Sequence, residues 1–178
     1  GERKFTGKGV SYCATCDAPF FRERPVAVVG GGDVAIDEAL HLTRFASRVI
    51  VIHRRDRLRA TAILQEKAFS ESKIEFLLSS VVEAIEGNDF VERLRLRQVT
   101  TGERAVLEIA GIFVAVGLRP YTDYLKGILA LDDTGHIITN ERMETEVAGI
   151  FAAGDIRRNS IRQAIAAAGD GATAAFYA

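Results

Sequence analysis

Residues 25–35 read Pro25-Val26-Ala27-Val28-Val29-Gly30-Gly31-Gly32-Asp33-Val34-Ala35. The first of these form a short, continuously apolar and β-branched run, which is typical of a strand buried on both faces. The rest match the pattern G-x-G-x-x-A. In that pattern Gly30 allows a tight turn, Gly32 lets a pyrophosphate approach the backbone, and the small Ala35 permits close packing of helix on strand. The stretch therefore predicts a strand, a glycine turn and a helix.

The segments that follow complete a βαβ unit. Residues 34–45 carry apolar side chains at helical spacing, and residues 48–53 form a second apolar run that predicts another buried strand. A glycine motif between a strand and a helix is the context that a dinucleotide site requires. We therefore expect a nucleotide at Gly30, Gly31, Gly32, Asp33 and Ala35; a glycine-rich turn without a ligand is the alternative interpretation.

The residues at the end of the second strand distinguish between nucleotides. A site for NAD carries Asp or Glu there, which binds the ribose 2′-hydroxyl. This chain instead has His53, Arg54 and Arg55, with Arg59 shortly after them. Because guanidinium groups bind phosphate oxygens bidentately, this basic run predicts a 2′-phosphate and hence NADP(H). A solvated basic turn is the alternative.

Both cysteines lie in the motif Cys13-Ala14-Thr15-Cys16-Asp17. Two intervening residues let the sulfurs bond, and thiols in such motifs are often acidified, so the spacing favours a redox dithiol over an inert pair. A zinc half-site would need further ligands, and the histidines are scattered, so we predict no metal site. Asp17 is placed to protonate a leaving thiolate or to cap a helix. A disulfide that opens and closes fits the reducing cytoplasm.

The rest of the chain predicts a meander and a second α/β region. Residues 81–109 alternate apolar and charged side chains between turn signals, which predicts an antiparallel meander that serves as scaffold. The apolar runs 111–117 and 149–155 predict further buried strands, residues 137–139 a small one, and residues 161–177 an alanine-rich helix. Asp155, at the end of its strand, is placed to bind sugar hydroxyls; a purely structural Asp155 is the alternative.

The composition excludes several classes of protein. The chain is 48% hydrophobic and 26% charged, with a net charge of −1. Such a charge attracts neither nucleic acid nor an acidic membrane surface over long range. No apolar run approaches the roughly 20 residues of a membrane span. We therefore expect neither a nucleic-acid nor a membrane partner.

Taken together, the motifs resemble bacterial-type thioredoxin reductase, the low-molecular-weight class of flavoprotein disulfide reductases. The resemblance runs over nearly the whole chain and rests on blocks that occur in family order. They are residues 9–17, Gly30-Gly31-Gly32 with Glu38-Ala39, His53-Arg54-Arg55-Asp56 with Arg59-Ala60, residues 113–117, and residues 149–155 with Arg162-Gln163-Ala164.

This resemblance implies an α/β fold with two Rossmann-like domains and a meander. Residues 1–112 would form a three-layer NADPH-binding domain with the redox motif, and residues 113–178 the C-terminal portion of an FAD-binding domain. NADPH would reduce the flavin, the flavin would reduce the disulfide, and the dithiol would reduce thioredoxin, in a homodimer.

The family pattern also assigns roles to residues. Cys16 would face the flavin, Cys13 would attack thioredoxin, and Asp17 would donate the proton. Arg54, Arg55 and Arg59 would hold the 2′-phosphate. The other cofactor-binding positions would be Gly117, Gly154, Asp155, Arg162, Gln163 and Ala164.

The chain departs from the family pattern in two places. Ala18-Pro19 follows Asp17 where the family often has glycine, and Pro19 should stiffen the segment. Only 12 residues precede Cys13, so the family's first FAD-binding strand and second glycine fingerprint have no counterpart. We therefore expect a fragment that binds NADPH and holds FAD poorly. Two other functions stay open: the flavoprotein of an alkyl hydroperoxide reductase system, and a redox-inactive NADP-binding module.

Overall fold

A parallel sheet of five strands organises the first part of the computed structural model, which describes residues 1–178. The chain divides into two compact units, Gly1–Gly117 and Leu118–Ala178. The elements are α1 (Glu2–Phe5), β1 (Val10–Ser11), α2 (Ala14–Asp17), β2 (Pro25–Val29), α3 (Asp33–Leu42), β3 (Arg48–Ile52), α4 (Ala62–Ser70), β4 (Ile74–Leu77), β5 (Ser80–Glu86), β6 (Arg93–Gln98), β7 (Arg104–Glu108), β8 (Gly111–Val114) and α5 (Ala164–Tyr177).

The strand order in the first unit places the glycine turn at the centre of the sheet. The parallel sheet runs β1-β8-β2-β3-β4, and a separate antiparallel sheet runs β5-β6-β7. Strand β2 is paired on both sides, with β3 and with β8. The predicted βαβ unit and the predicted meander are both confirmed.

The side chains of the central strands alternate between two cores. Val26 and Val28 of β2 pack in the core that contains α3, whereas Ala27 packs with Leu94 and Leu96 of β6. The parallel sheet is therefore the middle of three layers, with helices on one side and the meander on the other. Because both faces are covered, the continuous apolar run at residues 25–29 is needed.

The boundary between the units lies after Gly117, whereas the sequence placed it after residue 112. The reason is that β8 belongs to the first sheet along its whole length. Val26 of β2 is in register with Gly111, and Val10 of β1 with Ile112. The apolar run that begins at Gly111 therefore closes the first unit.

The second unit contains less regular structure than the sequence predicts. Phe151 pairs with Glu144 only in an isolated bridge, and Ile137 likewise forms only isolated bridges. Gly154–Ile156 is a turn of 3-10 helix. The prediction of strands at residues 149–155 and 137–139 was wrong, because a strand needs a partner along its whole length and the chain supplies only single partners here.

A small core and one partly buried ion pair hold the second unit together. Leu129, Ile137 and Ala152 form the core. The Arg157 guanidinium binds both carboxylate oxygens of Asp170, at 2.5 and 2.7 Å, and holds the pKa of Asp170 below its usual value. Asp170 lies on α5 and also accepts the Gly154 N–H at 3.1 Å, so it fastens the helix to the 3-10 turn.

None of the helices is both long enough and apolar enough to cross a membrane. The longest, α5, has 14 residues and contains Asp170.

Replacement of Leu94 by alanine should lower the free energy of unfolding by about 3 kcal/mol, because the side chain is 0% exposed between the two sheets. Val106 on β7 is 61% exposed and provides a matched control, for which truncation to alanine should change stability by about 0.5 kcal/mol or less. Urea denaturation followed by circular dichroism measures both. Equal losses would contradict the three-layer packing.

Candidate functional site

The glycine turn lies at the carboxyl end of β2 and permits close packing of α3. Gly30 N–H donates to the Ile52 carbonyl oxygen at 3.1 Å. A Cβ on Gly30 would overlap the carbonyl oxygen of Ala115 and would lie 2.6 Å from the Cβ of Ala35. The approach of the helix to the sheet therefore requires both Gly30 and the small Ala35; for Ala35 this is the packing role that the sequence predicts.

Gly32, unlike Gly30, is not required by packing within the chain. It is the N-cap residue of α3, has an extended backbone with φ of −96°, and would meet no atom within 4 Å if it carried a Cβ. Packing thus makes no demand for glycine there. The bare backbone leaves the first N–H groups of a ten-residue helix accessible, which is the arrangement that binds a pyrophosphate.

The loop after β3 is fastened to the glycine turn by backbone hydrogen bonds. The N–H groups of Arg59 and Ala60 donate to the Gly31 carbonyl oxygen at 2.6 and 3.1 Å. Thr61 N–H donates to Oδ1 of Asp33 at 2.6 Å. Asp33, which the sequence assigned to the nucleotide, therefore uses one carboxylate oxygen to hold this loop.

His53 lies in the wall of the turn. Its ring is 5% exposed and packs so closely on Gly31 that a Cβ there would overlap the imidazole. Burial, together with the positive charges of Arg59, Arg55 and Arg54, lowers the pKa of His53. Its Nε2 is buried and has no hydrogen-bond partner in the chain.

The predicted arginines lie together on this loop and lack acidic partners. Arg54, Arg55 and Arg59 are exposed and form no ion pair, whereas the arginines of the meander pair with Glu83 and Glu86. Four guanidiniums are in fact present, because Arg57 is also exposed and unpaired. Arg57 lies in the same basic run but was not among the predicted phosphate-binding residues.

A cavity of about 540 Å³ adjoins the turn and the loop. Gly30, Gly31, His53, Arg54 and Arg59 line it on one side. Residues 80–85 of β5 line it as well, together with residues 114–116 at the end of β8. The meander was expected to be scaffold alone, yet it supplies a wall of the cavity. The alternation of apolar and polar residues shows only that one face of β5 is exposed to solvent. It does not show which residues lie next to that face.

Cys13 and Cys16 form a disulfide, with their Cα atoms 5.3 Å apart. We call residues 13–17 the redox turn; Cys13 is the N-cap residue of the single helical turn α2. The Cys16 N–H donates to Sγ of Cys13 at 3.2 Å. The bonded pair is what the spacing of the motif predicts.

Asp17 is held by a neighbouring hydroxyl. The Ser11 hydroxyl donates to Oδ2 of Asp17 at 2.7 Å and accepts the Cys13 N–H at 3.1 Å. Asp17 is also the N-cap residue of the 3-10 helix that follows, although its side chain makes no capping hydrogen bond there. Ser11, which the sequence reasoning did not single out, connects Asp17 to the first cysteine.

The redox turn packs on the helix that follows the glycine turn. Helices α2 and α3 are in contact, and Ala14 is completely buried between them. The Ala14 N–H donates to Oε1 of Glu38 on α3 at 3.4 Å. The disulfide and the glycine turn are thus joined through one helix.

The residues after the redox turn accommodate the unusual proline. Ala18–Phe21 form a 3-10 helix with Pro19 in its first turn, where a missing N–H leaves no acceptor unsatisfied. Ala18 is buried, and Phe20 projects into solvent. The departure from the family pattern therefore leaves the redox turn intact.

Comparison with known proteins identifies the family. The model of the pyridine nucleotide-disulphide oxidoreductases matches residues 1–171. The chain belongs to this family. It is 50% identical over 184 residues to the thioredoxin reductase of Peptoclostridium acidaminophilum, covering 100% of this chain and 58% of that protein. It is 47% identical to the thioredoxin reductase of Bacillus subtilis, covering 98% of this chain and 56% of that protein.

Solved structures of the same family have the same fold. The thioredoxin reductase from Streptococcus pyogenes superposes with a TM-score of 0.94 at 47% identity, covering 99% of this chain and 58% of that one. The resemblance inferred from the motifs is confirmed. The chain spans 56–58% of the length of the relatives named here.

The remaining predicted positions of this family member lie at the end of the first unit and in the second. Gly117 ends the first unit with a φ of +100°. In the second unit, Gly154 packs against α5, where its Cβ would lie 3.2 Å from that of Ala167. Asp155 is exposed beside it and accepts a hydrogen bond from Ser160 at 3.4 Å. The two predicted blocks of the second unit, 149–155 and 162–164, are thus brought together at α5.

The N-terminal end of α5 carries the other three positions. Gln163 is its N-cap residue and Ala164 its first residue. Arg162 places Nη2 3.4 Å from Nε2 of His136. No group of three His, Cys, Asp or Glu side chains is arranged to hold a metal ion.

Two neighbouring glycines permit a sharp test of the turn. Gly31→Ala should lower the free energy of unfolding by about 1–3 kcal/mol, because its Cβ would overlap the His53 ring. Gly32→Ala, the matched control, should leave stability nearly unchanged, because the position is open and its backbone suits any residue. Thermal and urea denaturation of both variants measures this difference. Equal stabilities would show that the His53 contact is not what requires Gly31.

Proposed function

We propose that this chain is the nucleotide-binding and disulfide-bearing part of an NADPH-dependent thioredoxin reductase. The observation that carries the proposal is the contact between the redox turn and α3, which puts a bonded Cys13–Cys16 pair one helix away from a glycine turn. The relatives named thioredoxin reductase support it. Because the chain spans 56–58% of the length of these relatives, we propose the complete activity for the whole protein.

The groups at the glycine turn fit NADP(H). The open backbone at Gly32 would receive the pyrophosphate. Arg54, Arg55 and Arg59, with Arg57, would bind the 2′-phosphate, since none of them forms an ion pair with a carboxylate of the chain. NADPH supplies two electrons as a hydride when it is bound.

The second unit, with the residues just before it, is proposed as the C-terminal portion of the FAD-binding domain. Asp155 is an exposed carboxylate suited to ribityl or ribose hydroxyls, and Arg162, Gln163 and Ala164 surround the start of α5. Gly117 and Gly154 would allow close approach of that cofactor to the backbone. FAD carries electrons from the nicotinamide to the disulfide when it is bound.

The two cysteines would then perform thiol–disulfide exchange. The Cys13 thiolate attacks the disulfide of thioredoxin, and Cys16 resolves the mixed disulfide, which restores the Cys13–Cys16 bond and releases thioredoxin as a dithiol. The Cys16 N–H that contacts Sγ of Cys13 would stabilise this thiolate. Asp17, held by Ser11, would hold the proton that the leaving sulfur takes.

The setting of the reaction is also a proposal. A disulfide that must be reopened in every cycle suits the reducing cytoplasm. By its resemblance to the family, we infer a homodimer for the complete protein, with thioredoxin or a thioredoxin-like protein as its partner.

Nucleotide selectivity tests the basic loop. The chain should bind NADP⁺ more tightly than NAD⁺, and Arg55→Ala should weaken NADP⁺ binding about 10- to 100-fold, as expected for loss of a charged hydrogen bond. Binding of NAD⁺, which has no 2′-phosphate, should change little. Isothermal titration calorimetry measures all four affinities.

Arg48→Ala is the matched control for that experiment. Arg48 lies at the opposite end of β3, where it pairs with Glu75 at 3.5 Å, and it should not affect either nucleotide. Equal affinities for NADP⁺ and NAD⁺ in the unsubstituted chain would contradict the assignment of the loop.

The order of attack by the cysteines is testable with single-cysteine variants. Cys16→Ser leaves the Cys13 thiol, which should react roughly tenfold faster with a thionitrobenzoate-activated thioredoxin than the Cys16 thiol left by Cys13→Ser, because of the Cys16 N–H donor. Release of thionitrobenzoate measures both rates, and the double variant gives the background. Cys16 is the more exposed residue in this structure, so a faster reaction of Cys16 would show that exposure outweighs the donor and that the proposed order is reversed.

A further inference from the structure

One carboxyl group on α3 has no part in the functions described above. Glu38 accepts the Ala14 N–H with Oε1 at 3.4 Å, while its Oε2 is buried and has no hydrogen-bond partner. An unsatisfied buried polar atom lowers stability by roughly 1–3 kcal/mol. An apolar residue of similar size would pack there without this loss, so packing does not explain the carboxylate.

The contact places this group beside the redox turn. The Ala14 nitrogen is bonded to the carbonyl carbon of Cys13, and Ala14 itself is completely buried where α2 meets α3. No lysine or arginine forms an ion pair with Glu38. Burial is the main cause of its raised pKa; the Ala14 N–H opposes that rise, and Asp37 adds to it.

The consequences for the sulfurs follow from electrostatics. Opening the disulfide produces thiols, and these ionise more readily when N–H donors and positive charges are near them. Glu38 has the opposite influence in two respects: it occupies the Ala14 N–H, and it brings a negative charge close to Cys13. Like charges disfavour ionisation of each other. The dithiol therefore gains less from thiolate formation than it would without Glu38.

We propose that Glu38 is a positioning residue that favours the disulfide form of Cys13–Cys16 over the dithiol, by means of its contact with the Ala14 amide of the redox turn. The inference rests on the proposed function and deepens it, because the helix that follows the glycine turn also sets the reducing strength of the dithiol. A pair whose reduced form is less stabilised passes its electrons on more readily.

Equilibration of the chain with reduced and oxidised dithiothreitol tests the proposal. In this exchange the Cys13–Cys16 bond breaks, and one dithiothreitol supplies two electrons and two protons as it closes to its cyclic disulfide. The buffer is mildly alkaline, so that a carboxyl of raised pKa is still ionised. Alkylation of free thiols measures the ratio of dithiol to disulfide, without flavin, nucleotide or thioredoxin.

Glu38→Gln keeps the shape of the side chain and an oxygen acceptor for the Ala14 N–H but removes the charge. It should shift the equilibrium about tenfold towards the dithiol, equivalent to about 30 mV for a two-electron couple. Glu38→Leu also frees the Ala14 N–H and should shift it at least as far. Asp37→Asn is the matched control, because it removes a carboxylate from the adjacent, exposed position of α3; its effect should stay within about twofold.

The outcomes separate the inference from the proposed function. Glu38→Gln removes a buried charge and should fold at least as stably as the unsubstituted chain. Glu38→Leu provides a second, independent measurement of the dithiol–disulfide equilibrium. Equal equilibrium constants for the unsubstituted chain and both Glu38 variants would overturn the role of Glu38, as would an equal shift in Asp37→Asn. If dithiothreitol could not reduce the pair in any of these chains, the proposed redox function would fail, and this inference would fail with it.

Discussion

The close approach of α3 to β2 is the constraint on which the rest of the first unit depends. It is possible only because Gly30 and Ala35 have almost no side chain at the point of contact. That approach orients the N-terminal end of α3 towards the carboxyl ends of the parallel strands. It also brings the next turns of the same helix, including Glu38, against the redox turn. One packing contact therefore positions both the nucleotide groups and the disulfide.

The arginines of the first unit occur in two groups that differ in whether they form ion pairs. The arginines of the meander are neutralised by Glu83 and Glu86, which share their oxygens among several guanidiniums. The arginines of the loop after β3 have no such partners. Exposed ion pairs add little stability, so the unpaired loop loses little by lacking them. It keeps a positive potential at the site where a phosphate would bind.

The sequence predicts the centre of the fold well because its signals there are local. A β-branched run followed by closely spaced glycines has few other structural solutions, and the spacing of Cys13 and Cys16 allows their bond directly. Predictions fail where the structure depends on distant partners. Phe151 lies in an apolar run that looks like a strand, but pairing requires neighbours that no local pattern reveals. Other contacts that no local pattern reveals also join residues that are apart in the sequence. They form the cavity wall at β5, the hydrogen bond from Ser11 to Asp17, and the hydrogen bond from Ala14 to Glu38.

The three consecutive glycines, Gly30, Gly31 and Gly32, look alike in the sequence, but each is explained by a different contact. Gly30 is required by a backbone carbonyl and a helix, Gly31 by an imidazole ring, and Gly32 by nothing within the chain. In a lineage that ceased to bind nucleotide, Gly32 would be free to drift to other residues, while folding would continue to preserve Gly30 and Gly31. Gly32 is thus explained by binding of the ligand, and Gly30 and Gly31 are explained by packing within the fold.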